Sequence, residues 1–256
     1  MDGERVRDAL PVNQPYDGLV AEAYDCWLPP DRDYDDRALY REAIERGDGP
    51  ALELGCGNGR LLLHYRAAGL DVEGVDSSYD MLEICRGHAR AAGLDVTLHL
   101  ADWTTLALPR RYATVYNPAG SFMLIDDAGD ARRALAAWLA HLAPGGRLYV
   151  GCGVPTADFE LAWEWRIRRS GTRASDGVTF MVHEAVHCDL EQQLQHVINK
   201  HEVWDADGRL LTTFIRRMCL RWWTGEQLEA LLRECGATRV KLLGRDDEYL
   251  AIASID

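Results

Sequence analysis

The sequence predicts an α/β chain: a parallel, doubly wound sheet with an antiparallel β insertion before its last helix. Three observations carry this expectation. From Pro50 onward short apolar strands alternate with amphipathic helices, the pattern of parallel βαβ crossovers. The first of these strands runs directly into a glycine-rich bend, Gly55-Cys56-Gly57-Asn58-Gly59. After residue 155 the alternation stops, and three long strand-like runs, 178–188, 194–205 and 209–220, follow one another over short turns. Consecutive strands joined in that way pair antiparallel.

Taken in order, residues 1–35 hold aromatics and prolines (Tyr16, Tyr24, Trp27, Pro29, Pro30, Tyr34) and read as an irregular lead-in, followed by a helix over 36–46. Strands are expected at 51–54, 71–76, 96–100, 113–116 and 147–152, with helices at 60–68, 79–92 and 131–142. In the second of these helices Met81, Leu82 and Cys85 recur at helical spacing. The third sets Leu135, Trp138, Leu139 and Leu142 on one stripe, with Arg132 and Arg133 toward water. Pro144-Gly145-Gly146 cannot continue it. Within the insertion, 156–221, residues 159–168 read as a short helix containing Trp163 and Trp165. Thr224 with Gln227 forms a capping-box pattern opening a helix over 225–235, and Gly236 closes it. Two last strands, 238–243 and 249–254, meet as a hairpin and bring the main sheet to seven strands. The organisation is therefore a lead-in and lid (1–49), a core (50–155 with 222–256) and an insertion (156–221) over the substrate site.

Bulk properties narrow the function. The formal net charge is −13, which opposes binding a polyanion such as nucleic acid and would draw in a cationic substrate. Of the 28 basic residues only Lys200 and Lys241 are lysine, a matter of composition. No run approaches the roughly 20 apolar residues of a membrane span, and the N-terminus lacks the apolar segment of a signal peptide, so a cytoplasmic location is expected. The seven cysteines are scattered, odd in number and without a C-x-x-C pair, which indicates reduced thiols and no zinc ribbon.

The chemistry concentrates at strand ends. Glu53-Leu54-Gly55-Cys56-Gly57-Asn58-Gly59 follows a strand and opens a helix, and its glycines permit a tight turn and close approach of a ligand. Its G-x-G-x-G spacing differs from the G-x-G-x-x-G of dinucleotide sites, and no G-K-[ST] follows as in a P-loop. Asp76 ends the second strand, where a carboxylate can accept both hydroxyls of a ribose. Asp102 and Trp103 follow the third, where a carboxylate can accept from an adenine amino group and an indole can cover the ring. Together they describe a nucleoside site at the carboxyl edge of the sheet.

In these motifs the chain resembles the class I S-adenosylmethionine-dependent methyltransferases. E-L-G-C-G-N-G, V-E-G-V-D-S-S-Y-D-M-L, A-D-W and L-A-P-G-G-R-L occur in the family's order over residues 50–155. The resemblance implies a Rossmann-like seven-stranded sheet and S-adenosylmethionine as cofactor. Gly55, Gly57 and Gly59 would lie beneath the methionine moiety, Glu53 would help hold its end, Asp76 would hold the ribose, and Asp102 with Trp103 the adenine. Tyr24, Cys56, Ser77, Met81 and Asn117 are placed on the same cofactor side. The flanks resemble small-molecule N-methyltransferases of the aminosugar and glycine type: Tyr24-Asp25-x-Trp27 is similar to their lead-in over the cofactor, and the β insertion to their substrate-covering sheet. The aromatic hydroxyl that follows the lead-in of aminosugar enzymes is Leu28 here, and their histidine after strand four falls near Ser121. Tyr24, Ser121, Phe122 and His183 are the candidates nearest the reacting atoms.

Other features read more plainly. Asn117-Pro118 lacks the second proline and aromatic of base-methylating enzymes. His183 and His187 share a strand face but lie about 13 Å apart at 3.3 Å per residue, too far to chelate one ion, so no metal is expected. His141 reads as a helix-terminal residue. Asp126-Asp127 is expected to cap the next helix. An amine needs only to arrive deprotonated, whereas a hydroxyl acceptor would want a base, for which His183, His187 and Tyr116 are the candidates. N-methylation of a small molecule is the leading expectation, O-methylation its rival, and a nicotinamide-dependent oxidoreductase or a non-catalytic cofactor-binding module the more distant ones. An edge of the insertion sheet offers a homo-oligomer contact.

Overall fold

The computed structural model describes residues 12–155, 163–244 and 248–255. Eleven strands and six α-helices follow in order: α1 (Leu19–Trp27), α2 (Arg37–Gly47), β1 (Ala51–Leu54), α3 (Leu62–Ala67), β2 (Val72–Asp76), α4 (Tyr79–Ala91), β3 (Leu98–Leu100), β4 (Tyr112–Asn117), α5 (Ala128–Ala140), β5 (Leu142–Gly153), β6 (Arg166–Thr172), β7 (Thr179–Asp189), β8 (Leu194–Trp204), β9 (Leu210–Arg221), α6 (Gly225–Glu234), β10 (Arg239–Gly244) and β11 (Glu248–Ser254).

The main sheet has seven strands in the order β10-β11-β5-β4-β1-β2-β3. β1 pairs in parallel with both β2 and β4, so the chain winds one way through β2 and β3 and the other way through β4 and β5. That reversal opens a crevice at the carboxyl end of β1, where ligands of doubly wound sheets bind. β11 slots antiparallel between β5 and β10. One face of the sheet is covered by α5 and α6, whose Leu135, Trp138, Leu228 and Leu232 are buried with Leu52, Val115 and Leu148. The other is covered by α2, α3 and α4 through Ile44, Leu62, Tyr65 and Leu82. The α6 capping box forms as the sequence implies, and Asp127 caps α5 by accepting from Asp130 N.

The second sheet, β6-β7-β8-β9, is wholly antiparallel. It has four strands where the sequence suggested three. Residues 166–168, read as the end of a helix, are the start of edge strand β6, and Trp163 and Trp165 precede it outside any helix; the remainder of that expected helix, 156–162, lies outside the described residues. An i, i+2 pair of tryptophans suits extended chain better than a helix face. Two further boundaries differ. The lead-in contains a helix, α1, whose Ala21 and Ala23 are fully buried. α5 starts earlier and stops at Ala140, and β5 pairs from Leu142, with an irregularity in its register against β4 that accommodates Pro144-Gly145-Gly146.

Candidate functional site

A cavity of about 940 Å³ lies where the carboxyl ends of β1 and β2 face α1 and the inner face of the second sheet. Its floor is the glycine bend. Gly55 and Cys56 both donate their backbone N–H to Val75 O, at 2.7 and 3.0 Å, and so turn the chain off β1. Gly57 N donates to Asp76 Oδ2 at 2.9 Å, and Ser78 N to Asp76 Oδ1 at 2.9 Å. Burial pushes the Asp76 carboxyl above its ordinary value, against the pull of the backbone amides of Ser78, Gly57 and Ser77.

The three glycines serve different ends. Gly57 has φ +53°, and a Cβ there would meet only Met81 Cε at 3.6 Å, so the bend is open to a ligand at this point. At Gly55 a Cβ would fall 2.8 Å from the Trp103 ring; glycine admits the indole against the backbone. At Gly59 it would fall 2.7 Å from both Cys85 Sγ and Leu63 Cγ. Gly59 therefore packs α3 and α4 together and does not line the cavity, contrary to its expected place beneath a ligand. Asp102 is exposed and accepts from Thr104 N at 2.7 Å, which shapes the turn presenting Trp103. The indole lines the cavity and stands edge-on to Trp138 at 5.8 Å.

The segment expected to serve as a lid is docked by the residues of its Tyr-Asp-x-Trp stretch. Asp25 Oδ1 accepts from Asn58 Nδ2 of the glycine bend at 2.8 Å and lies 2.8 Å from His88 Nε2 of α4. Asn58 Nδ2 also donates to Leu28 O at 2.8 Å. Hydrogen bonding to Asp25 raises the His88 pKa, against the opposing effect of its burial. Tyr24 and Trp27 line the cavity, and desolvation pushes the Tyr24 phenol up to about 12. Farther out, α1 packs on β6 at Gly171, where a Cβ would fall 2.9 Å from the Trp27 ring.

Of the expected site residues, Tyr24, Gly55, Gly57, Asp76, Ser77, Met81, Trp103 and Ser121 line the cavity. Others do not. His183 belongs to the opposite face of β7, because Val182, Glu184 and Val186 take the cavity side; its Nε2 lies 3.5 Å from Glu202. His187 shares that outer face and stacks on Trp163 at 5.6 Å. Neither can serve as a base in the cavity. Phe122 is fully buried against Trp138 at 5.6 Å and is a core residue. Tyr116 is also fully buried, and its hydroxyl donates to Glu53 Oε2 at 2.8 Å. Glu53 sits behind the bend rather than on the cavity wall, and burial pushes its carboxyl up to about 8. Cys56 packs under Gly74. Asn117 Nδ2 donates to Leu54 O at 3.0 Å, tying β4 to β1.

Sequence reasoning missed the inner face of the second sheet, where Glu184, Asn199, His201 and Arg216 line the cavity. A signal existed: Phe180, Val182 and Val186 form one apolar parity of β7, which turns His183 and His187 away. The overall negative charge also misled about the cavity, which is lined by Arg166, Arg168, Arg169 and Arg216 beside Glu164 and Glu184.

The fold and this site define a doubly wound α/β domain with a crevice at the carboxyl ends of β1 and β2, faced by α1 and by an added antiparallel sheet. Residues 51–146 match the family model described as a methyltransferase domain. A dTDP-3-amino-3,6-dideoxy-alpha-D-glucopyranose N,N-dimethyltransferase of Streptomyces fradiae is 31% identical over 140 residues, 53% of each chain. A demethylmenaquinone methyltransferase of Thermus thermophilus is 38% identical over 116 residues, 42% of this chain and 49% of the relative. The chain thus matches about half the length of these curated relatives. Among solved structures, the CcbJ methyltransferase from Streptomyces caelestis shares the fold over 96% of this chain and 99% of its own, with a TM-score of 0.72 at 22% identity. No helix among the described residues is long and apolar enough to cross a membrane.

Proposed function

We propose that the protein is an S-adenosylmethionine-dependent methyltransferase that methylates an amine nitrogen of a small, aminosugar-like molecule. The observation that carries this is the convergence of Asp76, the open Gly57 backbone, Met81 and the Trp103 ring on one wall of the cavity. These groups fit the cofactor: a carboxylate for ribose hydroxyls, an indole for a purine face, and a Cβ-free bend for the amino-acid tail. Asp102, expected at the adenine, follows β3, is exposed and is not among the residues lining the cavity; its part is to shape the turn that presents Trp103.

The cofactor supplies, when bound, a methyl group on a positively charged sulfur. The chain's part is to hold the acceptor nitrogen in line with that methyl and to exclude water. The lid, fastened through Asp25 and Asn58, covers the glycine bend, while β7, β8 and β9 wall the opposite side. No proton needs to be taken from a neutral amine before it attacks; the new ammonium releases its proton afterwards. His183, His187 and Tyr116 lie outside the cavity, and a Tyr24 phenol held at about 12 is poorly suited to act as a base. His201, the imidazole that does line the cavity, is pushed down to about 4 by burial and is a weak base. Together these favour an amine over a hydroxyl acceptor. The S. fradiae relative, named as an aminosugar N,N-dimethyltransferase, supports the same reading.

A cytoplasmic location fits a chain whose described helices do not span a membrane. A homo-oligomer through the second sheet fits the exposed Ile167 on edge strand β6 and the exposed Leu210, Leu211 and Ile215 on edge strand β9. The test of function is a thermal-shift comparison of S-adenosylhomocysteine with NAD, then incubation with labelled methyl donor and panels of amines and alcohols. Stabilisation by S-adenosylhomocysteine with label in amines supports the proposal. Stabilisation by NAD, or label in alcohols alone, refutes it.

A further inference from the structure

The inner face of the second sheet is patterned row by row. Val186, Val197 and Met218 stand side by side across β7, β8 and β9 and make an apolar strip on the cavity wall. The next row holds Glu184, Asn199 and Arg216 in the same register, and the one after it Val182, His201 and Phe214. Polar groups are thus set into an otherwise apolar wall. Their states differ. Arg216 is committed to the lead-in: its guanidinium donates to Gln14 O at 2.6 Å and lies 3.9 Å over the Tyr16 ring. Glu184 lies 3.4 Å from Arg168.

Asn199 and His201 are different. Asn199 is 9% exposed and His201 4%, and both line the cavity. Asn199 Oδ1 and His201 Nε2 are buried without a hydrogen-bond partner among the described residues. The His201 ring is clamped in place, stacked on Phe214 at 4.6 Å and on the lid's Trp27 at 5.9 Å. Buried polar atoms are nearly always paired, and an exception on a cavity wall marks where a ligand supplies the missing partner. The two side chains are two residues apart on one strand face, about 7 Å, a span that substituents of a single ring can bridge. An amide oxygen accepts only, so its partner must carry an N–H or O–H.

We infer that Asn199 and His201 are the residues that recognise the acceptor, and that the acceptor presents at least two polar hydrogen-bonding substituents, one of them a donor to Asn199. This rests on the proposed function and deepens it. An amino polyol meets the requirement. A methylatable apolar ring such as a quinone leaves both atoms unpaired and is selected against, because a site with buried polar groups rejects ligands that cannot pair with them.

The experiment compares wild type with Asn199→Leu, which keeps the branched outline of the side chain, and His201→Phe, which keeps a flat ring; each removes the unpaired atom. The acceptor probe is dTDP-3-amino-3,6-dideoxy-alpha-D-glucopyranose. KM for this acceptor is expected to rise at least tenfold in each variant, with kcat within about threefold and S-adenosylhomocysteine affinity unchanged. Stability in urea is expected to hold or rise in Asn199→Leu, since an unpaired buried polar atom has been removed; a residue kept only for structure would give the opposite. Unchanged KM in both variants overturns the inference, as does a lower urea midpoint for Asn199→Leu. If wild type methylates no amine at all, the proposed function fails. The stability comparison then still decides whether these two atoms are held unpaired at the expense of the fold.

Discussion

The glycine bend separates ligand binding from packing within three residues, and paired substitutions expose the separation. Gly57→Ala places a methyl in a left-handed backbone at φ +53° with only Met81 Cε, at 3.6 Å, nearby. The backbone alone costs about 1–2 kcal/mol, and no collision adds to it. The methyl projects onto the open part of the bend, so S-adenosylhomocysteine affinity is expected to fall at least tenfold. Gly59→Ala carries the same backbone cost at φ +87° and drives its Cβ to 2.7 Å from Cys85 Sγ and Leu63 Cγ. Overpacking of that kind adds about 1–3 kcal/mol, for a total of about 2–5 kcal/mol. Its folded fraction is expected to bind the ligand within about threefold of wild type, because nothing on the cavity wall has changed. Urea titration measures the first quantity and isothermal calorimetry the second. The reverse pattern, with Gly57→Ala binding normally and Gly59→Ala folding normally but losing the ligand, would refute the division of roles.

Two pH-dependent outcomes follow from the lid and the buried carboxyl. His88 has a raised pKa through its hydrogen bond to Asp25, so its contribution to lid docking is complete below about pH 6.5, its unfolded value, and is lost as pH rises through the folded value. Amide exchange in 19–27, corrected for intrinsic rate, is expected to quicken as pH rises above the ordinary histidine value of about 6.5 in wild type and not in His88→Gln; identical pH profiles would remove His88 from the lid. Burial holds the Glu53 proton up to about pH 8 in the folded protein, against an ordinary value of 4.5, so the stability it contributes is present at low pH and declines as pH rises from 4.5 toward 8. Glu53→Gln keeps an acceptor for Tyr116, and its advantage over wild type is expected to grow across that window by at most about 1.4 kcal/mol per pH unit. A stability gap that does not vary with pH would contradict this.

Much of the core was legible because its signals are local. Asp76, the bend and Trp103 each follow a short strand, and a parallel sheet brings consecutive strand ends to one edge whatever the details of the helices. The capping box of Thr224 and Gln227 is written in four residues. What was not legible depends on partners distant in sequence. Gly59 looks like its neighbours until Cys85 and Leu63 are in place. Phe122 and Tyr116 sit near the site in sequence yet point into the core, where Trp138 and Glu53 receive them. The strand β6 is rich in arginine and held by pairing with β7 and by the lid at Gly171, so its own residues carry little strand pattern. His183 attracted attention as a histidine, whereas the parity of Val182 and Val186 decided which face of the strand meets the cavity.

The most direct measurement is calorimetric titration of the intact chain with S-adenosylhomocysteine, wild type beside Asp76→Ala. The carboxylate already positions Gly57 N and Ser78 N at 2.9 Å, and two charge-assisted bonds to ribose hydroxyls at about 1.5–3 kcal/mol each correspond to a loss of at least a hundredfold on its removal. Tight binding by wild type and its collapse in the variant is the expected result. A wild type that ignores the ligand, or a variant that binds it as well, would contradict the assignment of this crevice to an adenosyl cofactor.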